Sequence, residues 1–286
     1  MCKINFWVYL LLSELLRIMK DKVVIITGGS SGIGKALAES FSKNGSRVLI
    51  TGRSKDDLLV AQQSLKTKGL EVAIFQADVS LESDNRLMVE EALRLFGQID
   101  VLINNAGISM RALFEEFDLE AFKKVMGINF YGAVYATKHA LPHILKSKGS
   151  IVGISSINGK RSSPARSAYS ASKFAMEGFL EALRTEVMKR GVHVLVASPG
   201  FTASNIRKRS LTKDGTPQGD SPRKEQEMMT SEEVADRIYK AVVNRKRDLV
   251  LSVKGNLAVW INKWWPTLAD KIVYNELAKE PDSPFK

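Results

Sequence analysis

Seven short apolar runs, spread from residue 22 to residue 253, constrain this chain more than any other feature. They read KVVIITG (22–28), RVLITG (47–52), VAIFQAD (72–78), DVLINNA (100–106), SIVGISS (150–156), VHVLVASP (192–199) and DLVLSV (248–253). They are rich in valine and isoleucine and nearly continuous, not alternating. Strands buried on both faces have that character. Helical stretches separate them, at about 33–44, 54–68, 82–97, 118–147, 167–190 and 231–245. Such alternation predicts an α/β fold, a single doubly wound parallel sheet of about seven strands flanked by helices. A chain of 286 residues suits one domain of this kind. We expect it to occupy residues 19–255, with an apolar extension at 1–18 and an aromatic tail at 256–286.

Composition removes several alternatives. With 44% hydrophobic and 26% charged residues, the chain is neither disordered nor fibrous. Cys2 is the only cysteine, which excludes an intrachain disulfide and cysteine-built metal sites. The three histidines, His139, His143 and His193, form no convincing ligand set, so no metal is expected. The net charge of +11 is concentrated late, in Arg207-Lys208-Arg209 and Arg245-Lys246-Arg247. A solvated surface explains such runs first. No aromatic-interleaved basic module is present, so no nucleic-acid partner is expected.

The apolar run INFWVYLLL (4–12) ends at Ser13 and Glu14, short of the roughly 18 residues that span a bilayer. Two readings stay open. Residues 1–18 form an interfacial or partner-binding helix, or the physiological start is Met19. The expected location is cytoplasmic, with peripheral membrane contact left open. Residues 203–229 break the alternation with a polar stretch holding Gly215, Pro217, Gly219 and Pro222. A long irregular insertion is either a lid or disordered, and this one follows the sixth strand, at the carboxyl edge where ligands bind.

The first strand runs into Thr27-Gly28-Gly29-Ser30-Ser31-Gly32-Ile33-Gly34 and then a helix. Gly28 permits the sharp turn, Gly32 a close approach to a pyrophosphate, and Gly34 tight helix packing. Free N–H groups at the helix start would face the phosphates. The second strand ends Thr51-Gly52-Arg53, with no carboxylate where an NAD enzyme holds the ribose 2′-hydroxyl. A guanidinium there suits a 2′-phosphate, so the expected cofactor is NADP(H), with Arg53 as its selector.

Tyr169 and Lys173 stand at i and i+4 on a helix and share one face. A tyrosine near its usual value of about 10 is a poor base at neutral pH. A neighbouring ammonium should lower that value and let the phenol exchange a proton with a carbonyl or carbinol oxygen. Ser156, Asn105 and Pro199 end the fifth, fourth and sixth strands, all at the carboxyl edge.

Taken together, TGGSSGIG (27–34), NNAG (104–107), Asn129 in INFYG, ISS (154–156), YSASK (169–173) and PG (199–200) resemble the short-chain dehydrogenases/reductases of the classical branch. The match in order and spacing runs from about 22 to 253. The resemblance implies a Rossmann-type fold and an NADP(H)-dependent oxidoreductase that interconverts a carbonyl and a secondary alcohol. It implies that Tyr169 is the general acid/base, that Lys173 tunes it and holds the nicotinamide ribose, and that Ser156 polarises the substrate carbonyl. Asn129 would hold a water relay behind Lys173. Asp78 would meet the adenine, Asn105, Ala106 and Gly107 the adenosine side, and Pro199, Gly200 and Thr202 the nicotinamide, with Val79 also binding the cofactor. Gly28, Ser30, Ser31, Gly32, Ile33 and Gly34 would cradle the phosphates.

Residues 170–187 resemble family members that act on hydrophobic, lipid- or steroid-like ketones. The lid and tail resemble the animal dehydrogenase/reductase member 7 group more loosely. Trp260, Trp264, Trp265 and Tyr274 have near-helical spacing. They are read as a packed structural helix, an apolar cover over the substrate cleft, or a membrane-surface belt with Lys254, Lys263 and Lys271. A homodimer or homotetramer is implied through the helices around 121–147 and 167–190. A stripe of Ala171, Ala175, Gly178 and Ala182 would pack on the sheet or across a twofold axis. Two rival readings remain: a non-catalytic NADP-sensing protein, and an epimerase or dehydratase of the extended branch.

Overall fold

The computed structural model describes residues 19–203, 206, 209–216, 218–219, 228–279, 283 and 285. The run at 4–12, the rest of 1–18, and part of the 203–229 stretch, Arg207 and Lys208 included, lie outside the described residues. Each apolar run supplies one strand: β1 (Val23–Thr27), β2 (Arg47–Gly52), β3 (Val72–Gln76), β4 (Val101–Asn104), β5 (Ser150–Ile154), β6 (His193–Ser198) and β7 (Asp248–Val250). The helices are α1 (Gly32–Lys43), α2 (Lys55–Lys66), α3 (Glu82–Phe96), α4 (Leu119–Met126), α5 (Gly132–Ser147), α6 (Ser167–Val187), α7 (Ser231–Val243), α8 (Val253–Trp264) and α9 (Pro266–Ala278).

All strand pairs are parallel, in the order β3-β2-β1-β4-β5-β6-β7. The winding reverses between β1 and β4, so the loops leaving their carboxyl ends diverge and open a crevice there. Alternate strand residues serve opposite faces. Val24, Ile26 and Ile50 meet Leu37 and Phe41 of α1, Leu58 of α2 and Ile238 of α7. Ile25, Leu49 and Ile151 meet Met88 of α3, Ala136 of α5 and Leu180 of α6. Helices on both faces explain why the strand runs are apolar throughout.

Two departures from the sequence reading concern helices. The stretch 118–147 divides into α4 and α5 around a π turn, Gly127–Tyr131. One wider turn carries Asn129, and such bulges cluster at functional sites. The aromatic tail is two helices, because Pro266 starts α9 after Trp265 has left helical geometry.

The polar insertion is anchored where it is described. Ala203 N donates to Met229 O (2.9 Å), closing its base. Leu211 N donates to Ser109 O (2.9 Å) and Arg111 N to Leu211 O (2.8 Å), so the strand-like segment crosses the sheet's carboxyl end. A capping box of Thr230 and Glu233 then starts α7.

Phe41 is fully buried and meets Tyr239 edge-on, with ring centroids 5.1 Å apart. Phe41→Ala removes that contact and leaves a cavity between α1 and α7. It should cost about 3–5 kcal/mol, read as a lower urea midpoint at unchanged slope.

Candidate active site

The glycine turn has steric reasons for each small residue. Gly28 and Gly32 have φ of +65° and +53°, a region that side chains rarely enter. A Cβ on Gly34 would collide with the Gly28 carbonyl and with the Asn105 amide at 2.5 Å. The close packing is therefore helix against turn, whereas the sequence reading placed it between helix and strand. Gly29 escaped that reading, yet a Cβ there would sit 2.5 Å from Ile50 Cβ. Thr27 and Asn105 lock the turn to β4. Thr27 Oγ1 accepts from Asn105 N and Ala106 N (both 3.0 Å), and Asn105 Nδ2 donates to Thr27 O (2.9 Å) and Gly28 O (3.0 Å). Ser31 is the N-cap of α1, but its side chain makes no capping bond. The first amides of α1 thus open toward the crevice as an anion site.

Two cavities meet above this edge, and Ile33, Asn105, Gly107 and Ile206 line both. The first, about 490 Å³, is walled by Gly28, Ser30, Ser31, Gly32, Ile33 and Gly34 on one side. Arg53, Asp78, Val79, Asn105, Ala106 and Gly107 wall the other. The second, about 560 Å³, takes in Ser156, Tyr169, Lys173, Pro199, Gly200 and Thr202. Asn129 touches neither; it is fully buried behind Lys173. Sequence reasoning missed Lys124, Asp57 and Arg209 in the first cavity. Arg209 pairs with Asp57 (3.5 Å) across the groove. That contact joins the insertion to α2, which no local sequence pattern records.

At the junction, Tyr169 and Ser156 line the same cavity, and the serine hydroxyl favours the phenolate. Ser156 also caps the 3-10 turn Ile157–Gly159, accepting from Asn158 N (3.2 Å). Lys173 is almost wholly buried, and its Nζ donates to Ile154 O (2.8 Å). Asn129 Oδ1 accepts from Ile108 N (2.8 Å), and its Nδ2 donates to Ile108 O and Ser172 Oγ (both 2.9 Å). Ser172 Oγ in turn donates to Tyr169 O (2.7 Å). The π turn is thereby tied to the turn of α6 that presents Tyr169.

The expected lowering of Tyr169 by Lys173 does not occur here. Burial pushes the phenol above its usual value, opposed by the Ser156 hydroxyl and the Arg166 charge. The reason is geometric: the ammonium faces the β5 carbonyl and lies 5.8 Å from the ring centroid. Burial pulls Lys173 itself down to about 8, against the attraction of Glu177.

The tail reaches the second cavity through residues other than its aromatics. Ala258 of α8 and Ile272, Val273 and Leu277 of α9 line it. Trp260, Trp264, Trp265 and Tyr274 are exposed on the outside of the same helix pair.

The geometry agrees with comparisons to known proteins. The sequence profile of the short chain dehydrogenase family matches residues 22–215. Dehydrogenase/reductase SDR family member 7B of Danio rerio is 36% identical over 270 residues, 92% of this chain and 87% of that protein. The Mus musculus protein of the same name is 35% identical, over 93% and 84%. Dehydrogenase/reductase SDR family protein 7-like of Drosophila melanogaster is 32% identical, over 93% and 83%. A short chain dehydrogenase/reductase from Burkholderia phymatum, solved in complex with NAD, shares the fold at a TM-score of 0.78 and 23% identity, covering 87% of this chain and 95% of that one. The chain belongs to the short-chain dehydrogenase family of oxidoreductases, which bind a nicotinamide dinucleotide.

Proposed function

We propose that the protein uses NADP(H) to interconvert a carbonyl and a secondary alcohol on a hydrophobic substrate. The observation that carries the proposal is the gathering of Ser156, Tyr169 and, one helical turn on, a buried Lys173 in one cavity, where it joins the glycine-lined groove. The first cavity fits a dinucleotide. Its glycine turn leaves no room for a Cβ on Gly28, 2.9 Å from Ala106 Cα, and its helix start has unspent amides. Gly28 to Gly34 would hold the phosphates, Asp78 and Val79 the adenine, and Lys173 the nicotinamide ribose. A bound dinucleotide would supply or accept a hydride. Tyr169 would donate a proton to the carbonyl oxygen, and Ser156 would hold that oxygen by a hydrogen bond. A phenol raised by burial stays protonated at neutral pH, the state that donation requires. Oxidation of the alcohol needs the phenolate and should gain as pH rises. Tyr169→Phe should lower turnover by about 10²-fold or more and leave NADPH affinity nearly intact, as measured by cofactor titration beside steady-state kinetics.

Preference for NADP(H) rests on Arg53. It lines the first cavity just past β2, where Gly52 stands in place of an acid. Asp57 lines the same groove, but Arg209 pairs with it. Arg53→Ala should weaken NADPH by about 1.5–3 kcal/mol, tenfold or more, with NADH unaffected. Equal weakening of both would remove Arg53 from this role.

The aliphatic residues of α8 and α9 roof the substrate cavity, which favours a hydrophobic substrate. The outer face of the same pair carries exposed Leu257, Trp260, Trp264, Trp265, Leu268 and Tyr274 beside exposed Lys263 and Lys271, and Lys254 is exposed at the cavity. We read that face as a peripheral contact with an anionic membrane. Among the described residues no helix is long and apolar enough to cross one. The protein should co-sediment with phosphatidylserine vesicles, less so in high salt and less after Trp264→Ser with Trp265→Ser. Lack of binding at low salt would refute this contact. The small-residue stripe of α6 points outward, since a Cβ on Gly178 meets nothing within 4 Å. With half-exposed Tyr131 and Phe174 it offers a face for a second copy of the chain in a homodimer or homotetramer.

A further inference from the structure

One carboxylate near the active end has no part in the mechanism above. Glu177 lies on α6, one turn beyond Lys173 and two beyond Tyr169, so the three share a face. Its side chain is only 16% exposed and accepts three donors from three different elements. Oε1 accepts from Ser155 Oγ (2.7 Å), at the end of β5, and from Ser198 Oγ (3.2 Å), the last residue of β6. Oε2 accepts from Lys160 Nζ (2.9 Å), which follows the 3-10 turn. Ser155 and Ser198 are both buried. Gly159 makes room for this cluster, since a Cβ there would lie 2.7 Å from Glu177 Oε1 and collide with Ser155 Oγ.

The three elements that Glu177 joins are those that present the reacting groups. Ser155 precedes Ser156. Ser198 precedes Pro199 and Gly200. Lys160 closes the turn that Ser156 caps. We propose that Glu177 is a positioning residue: its carboxylate clamps the ends of β5 and β6 and the 3-10 turn at the spacing the reaction needs, and presents a negative charge behind Lys173. The proposal rests on the catalytic reading of Tyr169 and Lys173.

The two roles separate by measurement. A clamp alone would set the placement of Ser156. A charge behind Lys173 would also set the pH at which that ammonium is lost, and Glu177 already opposes the fall that burial imposes. Other charged or titratable groups facing this cluster are Tyr169 and Arg166 toward the N-terminal end of α6, and Lys160 on the 3-10 turn. Arg161, Lys254 and Glu276 line the same cavity further out. Gly107 and Asn129 approach Lys173 with neutral groups, and β5 offers the Ile154 carbonyl.

The test uses the full chain without cofactor. The lysine ε-carbon resonance of Lys173, assigned by its loss in Lys173→Arg, is titrated by NMR in wild type and two variants. Glu177→Gln keeps an oxygen for the serines but removes the charge, so the midpoint should fall from about 8 by about one pH unit, a tenfold change in the protonated ratio. Lys160→Met removes the competing cation and leaves the carboxylate, so the midpoint should rise. With NADPH and a ketone, the alkaline limb of the turnover profile should move in the same directions. A midpoint that stays put in both variants, or moves the same way in both, would overturn the proposal. The opposed signs keep the test decisive if Glu177→Gln folds poorly. Loss of the catalytic reading is a separate outcome, seen as retained turnover in Tyr169→Phe while the Lys173 midpoints still shift.

Discussion

A lysine ammonium held almost wholly out of water is the constraint around which the active end is organised. Burial of an unsatisfied charge costs far more than a protein of this size can spare. Lys173 is only 3% exposed, so its surroundings must supply what water no longer does. The Ile154 carbonyl accepts a hydrogen bond from it, and Glu177 lies one turn away with the opposite charge. Both partners depend on the fold. Ile154 is the last residue of β5, and Glu177 is held by hydroxyls from β5 and β6. The charge is tolerable only where strand ends and α6 come together.

That meeting follows from the sheet. Strands buried on both faces have no room for polar side chains along their length, and the polar groups gather where the strands stop. Ser155 and Ser156 follow β5, Asn105 follows β4, and Pro199 follows β6. The reversal between β1 and β4 spreads the loops at this edge, and the glycines let the turn pack tightly against Ile50, Asn105 and Ala106 at its base. Asn129 extends the same logic from a helix. A π turn gives its amide the width to reach Ile108 and Ser172 at once, binding the loop after β4 to the helix that carries Tyr169.

The seven strands were legible in the sequence because both-face burial writes itself as continuous valine and isoleucine. The glycine turn and the Tyr169–Lys173 pair were legible because their partners lie within one turn of chain. Reading failed where a property depends on distant residues. The i+4 spacing put Lys173 on the face of Tyr169, but only the fold reveals that the ammonium turns to Ile154 and that burial governs the phenol. Glu177 stood in plain view at the next i+4 step. Its importance came from Ser155, Lys160 and Ser198, which lie 17 to 22 residues away. Arg209 and Asp57 are further apart still and belong to no shared motif.

The tail exposes a different limit. Spacing of Trp260, Trp264, Trp265 and Tyr274 signalled helix, but left open whether these residues pack on the domain, cover the cleft or face a membrane surface. Pro266 breaks the helix in two, and the pair settles with small and aliphatic residues, Ala258, Val273 and Leu277, toward the cavity. Indoles would fill a space that a substrate needs, whereas slender side chains leave it open. The pair therefore has two apolar faces, and the domain covers only one. An exposed row of tryptophans is costly in water, yet a ring with an apolar body and an N–H edge suits a boundary between water and hydrocarbon. The lysines beside the row carry the charge such a boundary attracts. Ile272 lies between the two faces, lining the cavity while remaining 42% exposed. Lys254 and Glu276 are exposed at the same cavity, so its rim joins charge to an apolar edge.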